Sequence, residues 1–453
     1  MPSSPPAFRA RLTDGAVGRT LVDQAGPMLW GLLSMVFLNF LDTFFVGQLG
    51  TRELAAMSFT FPVTMVMSSV AVGLGVGASS VVARAVGQGD DEQVRRLCTD
   101  SLLLSGVLVG ILIVIGHATI DPLFTALGAG PDVLPLIRRY MEIWYVAMVF
   151  LIVPMVGNGS LRAVGSAGSA GAIMVFASVI NVILDPLLIF GLAGFPRLEI
   201  EGAALAALIS RALSLVAALA LLGGRHKMLS VRVPRLGVLL QSWRSMLIIG
   251  LPAAATQAIA PLAQGLLTRL VATHGAEAVA AWGVAMRIEA FAILSFMALA
   301  TAMGPFAGQN WAARRVDRLH RAMVLSLRFC WVWGLVAWAI LAVTGADLAR
   351  VFNDHPVVVE QVGAYLRIVP LGYAGLGFAG VIAATLNGLG LPAAAAVLSV
   401  LRLFVLYVPL AWMGEAWLGM TGLFWGVGIA NAAAGLLAWP WAHSQCRAQR
   451  RRA

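Results

Sequence analysis

Apolar residues recur along the chain in runs of roughly 20, each bounded by charges, glycine or proline. That is the length a helix rising 1.5 Å per residue needs to cross a hydrocarbon layer about 30 Å thick. The runs fall near residues 20–46, 54–80, 98–118, 133–157, 168–190, 202–222, 245–272, 278–304, 322–343, 362–386, 393–413 and 420–442. Within them the apolar character is continuous rather than alternating with period two, which predicts helices and not barrel strands. Lipid offers the backbone no water, so each span must close its own hydrogen bonds. The fold class expected is an all-α polytopic membrane protein of twelve transmembrane helices in two six-helix lobes.

The polar positions supply the organisation. The longest polar stretch, residues 223–244, separates six spans from six, giving a tail (1–19), an N-lobe (20–222), a basic linker (223–244), a C-lobe (245–442) and a basic C-terminal tail (443–453). Across the linker the sequence repeats. At an offset of 225 residues Pro27 falls on Pro252, Thr43 on Thr268, Val46 on Val271, Gly50 on Gly275, Tyr140 on Tyr365, Leu161 on Leu386 and Gly165 on Gly390. With a local gap, Gly87-Gln88 also falls on Gly308-Gln309. Each half has an even number of spans, so the duplicated halves run the same way and are related by a pseudo-twofold along the membrane normal.

Composition places the chain in the lipid phase. Of 453 residues, 60% are hydrophobic and 11% charged, against about 45–50% and about 25% for a soluble domain. The net charge of +10 does not indicate a nucleic-acid partner, because the cations sit in short loops instead of on one exposed face. Of the 31 Lys and Arg residues, 20 fall in connections on one side of the membrane and 5 on the other. That bias puts both termini and the linker in the cytoplasm of a bacterial inner membrane. The stretch from Met1 to Arg19 has no apolar core and no small-residue cleavage site, so the first span is read as a retained anchor.

Several kinds of chemistry are absent from the pattern. Three cysteines, Cys98, Cys330 and Cys446, have no metal-ligand spacing. A phosphate-binding loop needs a lysine after glycine, and the one lysine, Lys227, follows His226. The glycines of Gly73-Leu-Gly-Val-Gly77 lie inside a span, where small residues let helices approach. None of the six histidines has a spaced partner. No enzyme and no cofactor are expected.

What remains is the set of ionisable residues inside spans, costly in lipid and functional candidates for that reason. Asp42 and Asp185 lie near the outer ends of spans one and five, and Tyr140 in the first turns of span four reaches the same level. Asn39 and Asn181, three and four residues before the two acids, share their helix faces. Asn158 lies much deeper on span four. The repeat puts Leu267 and Leu410 where Asp42 and Asp185 stand, so the scaffold packs with leucine there and the acids point to a function other than folding. Pro27 and Pro186 each remove a helix hydrogen bond beside this group and are candidate hinges. Arg211 lies in span six. In the C-lobe, Arg287 and Glu289 are two apart and cannot face each other, so Glu289 is expected to pair with Arg402.

The runs DTFFVGQLG, ARAVGQGDDEQVRRL, NVILDPLLIFG and RIEAF resemble the multidrug and toxic compound extrusion (MATE) transporters, in particular the DinF-like prokaryotic branch, over about residues 15 to 445. The resemblance implies a two-lobed antiporter that exports varied, often cationic drugs while admitting protons or sodium ions. It implies Asp42 and Asp185 as coupling carboxylates, Tyr140, Asn158 and Asn181 as polar residues of the same cavity, and Pro27 as the proline at which span one bends. The NorM-like branch places acids in spans seven and ten, where this chain has no carboxylate and Arg367 respectively. The coupling ion favoured is therefore H+, with Na+ as the alternative. Burial and like charge both disfavour two ionised carboxylates side by side.

The function expected is a monomeric, proton-coupled efflux antiporter working in the lipid bilayer by alternating access on small, cationic or amphipathic substrates. Two alternatives stand beside it. A flippase for a lipid-linked anionic substrate would want an Arg-lined cavity, and the first lobe reads acidic. A non-transporting membrane scaffold or regulatory protein would leave drug tolerance unchanged.

Overall fold

The computed structural model describes residue 8 and residues 10–49, 51–230, 235–352 and 355–450. Gly50 of the repeat and the cations Arg9, Arg232, Arg451 and Arg452 lie outside the described residues. Among the described residues there is no strand. The helices are α1 (Val17–Gly47), α2 (Thr51–Gln88), α3 (Asp91–Ala126), α4 (Leu134–Ala163), α5 (Ala167–Phe190), α6 (Glu199–Ala220), α7 (Leu236–Ala272), α8 (Ala276–Ala312), α9 (Val316–Phe352), α10 (Pro356–Ile368), α11 (Tyr373–Gly388), α12 (Pro392–Val400) and α13 (Val408–Arg450).

Several helices outrun the apolar spans that announced them, because the backbone ladder continues into polar surroundings once it is nucleated. The expected span 98–118 is the middle of α3, which begins seven residues earlier where the Asp90 carboxylate accepts the Gln93 N–H at 2.9 Å and caps the helix. Span ten is interrupted. Pro370 has no N–H to donate, and the chain passes through a 3-10 turn, Val369–Gly372, between α10 and α11.

Eleven described stretches are long and apolar enough to cross a membrane, and the last, Pro392–Ser444, has 53 residues. As one straight helix it would reach about 80 Å, far beyond a bilayer. Instead α13 breaks at Leu418 and Gly419, where Gly419 adopts φ 60 and ψ −143. Beyond the break the chain folds back so closely that a Cβ on Gly422 would collide with the Gly414 carbonyl and one on Gly426 with that of Leu410. Spans eleven and twelve are thus the two arms of one interrupted helix, which restores twelve crossings.

By contact the chain forms two units, Met1–Arg11 with Gly26–Ala254, and Leu12–Ala25 with Ala255–Ala453. The change of allegiance falls within α1 and within α7, at Gly26 and Ala255, next to the repeat-related Pro27 and Pro252. In the first unit α4 packs against α2, α3 and α6. The glycines of α2 serve the close approach expected of them: a Cβ on Gly159 of α4 would stand 2.5 Å from the Gly75 carbonyl oxygen, and one on Gly73 2.5 Å from that of Gly250. In the second unit α11 packs against α8, α9 and α13. There Gln309 Oε1 accepts the Leu12 N–H at 3.1 Å and Asn310 Nδ2 donates to the Leu12 carbonyl at 3.1 Å, fixing the turn before α1.

Candidate functional site

Asp42 lies five residues before the end of α1 and Asp185 five before the end of α5, while Tyr140 is in the second turn of α4. Matched positions on helices of alternating direction bring all three to one level of the first unit, and the two carboxyl groups come within hydrogen-bonding reach of each other. Asp185 is 1% exposed and Tyr140 8%. The i, i+4 spacing does what it predicts: Asn181 Nδ2 donates to Asp185 Oδ1 at 2.9 Å. The Ser210 hydroxyl on α6 donates to Asn181 Oδ1 at 3.0 Å, so the amide is held at both ends.

Arg211 follows Ser210 and completes the group. Its guanidinium lies 5.9 Å over the Trp144 ring and acts electrostatically on Asp42 and Tyr140. The first lobe is therefore not purely acidic: two carboxyl groups share their surroundings with one guanidinium. Asp42 Oδ1, Asp185 Oδ2 and Arg211 Nη1 are all buried without a hydrogen-bond partner. Buried polar atoms are nearly always paired, so three open valences at one place single it out as the candidate site. The signal for Arg211 is present in the sequence as a charge inside span six, but without the fold nothing ties it to the acids.

The other candidates divide. Asn39 is exposed on α1. Asn158 is buried with Oδ1 unpaired, and it lies eighteen residues beyond Tyr140 on the same helix, about 27 Å along the axis. The structure does not bring it to the acidic pair. Pro27 and Pro186 sit inside helices that stay helical through them. The Pro27 carbonyl instead marks a close approach of α1 to α5, where a Cβ on Gly171 would be 2.9 Å from its carbon.

In the second unit the expected Glu289–Arg402 ion pair does not form. Arg287 is exposed on α8, and Glu289 is bonded by tyrosines: the Tyr365 hydroxyl donates to Glu289 Oε2, and the buried Tyr373 hydroxyl lies beside the same carboxylate. Arg402 and Tyr407, from a π-helical segment Leu401–Tyr407, act on Glu289 through charge without ion-pair contact. The reason for the difference is steric. Tyr365, hemmed in by Trp282 at 5.5 Å and Phe424 at 5.3 Å between ring centres, takes the place next to the carboxylate. At the positions repeat-related to Asp42 and Asp185, Leu267 is 1% exposed within the apolar core and Leu410 packs against that core.

Comparison with known proteins bears on both repeat and function. The MatE family model matches residues 27–187 and again 252–413. The two matches begin 225 residues apart, the offset of the internal repeat. The chain is 38% identical to the FAD transporter of Shewanella oneidensis over 97% of each chain. It is 25% identical to the multidrug export protein MepA of Staphylococcus aureus over 91% of this chain and 90% of that one. The solved structure of the Vibrio cholerae MATE transporter VcmN in its bent form superimposes with a TM-score of 0.90 at 30% identity, covering 95% of this chain and 97% of that one. Two family matches in register with the repeat, near-complete coverage of the relatives and a shared fold together establish that the chain belongs to the MatE family of membrane transporters.

Proposed function

We propose that the protein is an inner-membrane efflux antiporter that exports organic cations in exchange for protons, with Asp42 and Asp185 as the coupling pair. The observation that carries the reading is the pairing of these two carboxyl groups, each with an unpaired oxygen, at positions where the duplicated scaffold has leucine. With both acids ionised and Arg211 charged the group has a net charge of −1; one proton brings it to zero. Two carboxylates held this close titrate as a unit and share a proton readily. The deprotonated group attracts a cation and the protonated one releases it, which is the reciprocal linkage an antiporter needs.

Each neighbour has a part. Asn181, braced by Ser210, holds Asp185 in one orientation. Arg211 moderates the negative charge and disfavours a second resident cation, which supports H+ over Na+ as the coupling ion. Tyr140 places a hydroxyl within the electrostatic reach of both acids. The test is dye efflux from everted vesicles driven by a pH gradient and, separately, by a sodium gradient. The pH gradient is expected to drive export and the sodium gradient alone not to; the opposite result overturns proton coupling.

A second reading follows from the relative described as an FAD transporter. A dinucleotide is anionic, and the Arg211 guanidinium with its unpaired Nη1 offers the complementary charge. Competition separates the two: FAD added to everted vesicles slows dye accumulation if flavin dinucleotides are carried, and leaves it unchanged if the site selects cations.

A further inference from the structure

A third carboxylate of the first unit is sealed in and unsatisfied, two residues inside the expected span 98–118. Asp100, nine residues after the start of α3, is 1% exposed, and neither carboxylate oxygen has a hydrogen-bond partner. Its surroundings are closed by α7 and the linker. Trp243 Nε1 donates to the Asp100 carbonyl at 3.0 Å and the Ser230 N–H donates to Thr99 Oγ1 at 2.8 Å, while the Ser242 hydroxyl comes within hydrogen-bonding reach of the carboxylate but donates to the Val238 carbonyl at 3.1 Å.

Among the described residues the charged side chain acting on Asp100 is Arg96, one turn earlier on α3; it forms no ion pair with it, and Arg96 Nε is itself buried and unpaired. From α7 come Ser242 and Trp243, and from α4 Ser160, which faces Cys98 of α3. A carboxylate kept for structure would be hydrogen-bonded, and an ionised one without donors is expensive to bury. A proton on one oxygen removes most of that expense.

Helix α4 measures how far this site is from the coupling pair. Tyr140 near its start stands with Asp42 and Asp185, and Ser160 near its end stands against Cys98, two residues from Asp100. Twenty residues of helix are about 30 Å. The linker residues that close over Asp100 are those the charge bias assigns to the cytoplasm. Asn158, with its own unpaired oxygen, lies on the Ser160 side of α4.

We propose that Asp100 is a second proton-exchanging group of the first unit: it takes up a proton on one carboxylate oxygen and gives it to water on the cytoplasmic side, so that the carboxyl group and carboxylate alternate with no other bond made or broken. This rests on the proton-coupled reading above. The sealing contacts from Trp243 and Ser230 give a route for gating, because their loosening admits water to the carboxyl group.

The test uses the full-length protein in vesicles with the two faces buffered separately, together with infrared difference spectra in H2O and D2O. Asp100→Asn is expected to abolish the response of the transport rate to cytoplasmic-face pH while keeping the response to external pH. The wild type is expected to show a deuterium-sensitive carbonyl stretch of a protonated carboxyl group that persists in Asp42→Asn and Asp185→Asn and disappears in Asp100→Asn. Should Asp100→Asn fail to fold, Asp100→Glu is expected to move that band. An Asp100→Asn protein whose response to cytoplasmic pH equals the wild type's, or a spectrum with no band traceable to position 100, overturns the proposal. If instead the wild type ignores pH at both faces, the proton-coupled reading itself has failed.

Discussion

The close approach of α5 to the Pro27 carbonyl gives a prediction whose size can be worked from the geometry. Gly171→Ala places a Cβ 2.9 Å from the Pro27 carbonyl carbon and nearer still to its oxygen. Both atoms are backbone, so no side chain can swing aside and one helix has to shift by several tenths of an ångström. Overpacking of that kind costs about 1–3 kcal/mol. Against it, alanine in place of a mid-helix glycine recovers about 0.5–1 kcal/mol. The net expectation is a loss of about 0–2.5 kcal/mol. The matched control is Gly110→Ala in α3, where a Cβ meets nothing within 4 Å, so that only the favourable term is left. Thermal unfolding of the purified proteins in one detergent should rank them with Gly171→Ala below the wild type and Gly110→Ala at or above it. Equal melting temperatures for the two variants would refute the close packing on which the α1–α5 geometry depends.

Other substitutions probe the two polar groups. Ser210→Ala strips Asn181 Oδ1 of its donor and should cost about 1–3 kcal/mol of stability in the same melting assay, with weakened proton coupling because Asp185 is less firmly oriented. Glu289→Gln keeps an acceptor for the Tyr365 hydroxyl but leaves Arg402 without its opposing charge; protein abundance on immunoblots should fall by more than transport per molecule. Normal abundance with lost coupling would instead move the coupling group to the second unit.

Much of this architecture is legible in the sequence because lipid enforces simple rules. Spans must be long, apolar and helical, so all twelve crossings could be read directly, and the structure adds that the last two are carried by one helix broken at Gly419. The repeat was visible from Pro27, Tyr140 and their partners at one offset. The Asp42–Asp185–Asn181 group was legible because spacing along a helix fixes a face and position within a span fixes a level. What sequence could not supply was proximity between helices at arbitrary angles. Arg211 and Ser210 join the acids only through the packing of α6 on α5. Tyr365 displaces Arg402 from Glu289 because of aromatic packing that no charge rule anticipates. Asn158 shares a helix with Tyr140 but not its level, and helical rise decides the matter against a common site. Asp100 carries no mark in the sequence that sets it apart, because the contacts from α7 and the linker that close over it come from residues more than 130 positions away.

The proposed conversion of a proton gradient into export by Asp42 and Asp185 is tested by cationic dye accumulation in everted vesicles for Asp42→Asn, Asp185→Asn and the double variant, with Leu267→Asn as the repeat-related control. Asparagine keeps size and most hydrogen bonding while removing the titratable group. Each acid variant is expected to fold and to fail in accumulation, the double variant to be little worse than either single one because the pair acts as a unit, and the control to retain accumulation. Accumulation at the wild-type rate by Asp42→Asn vesicles under a pH gradient would contradict that conversion.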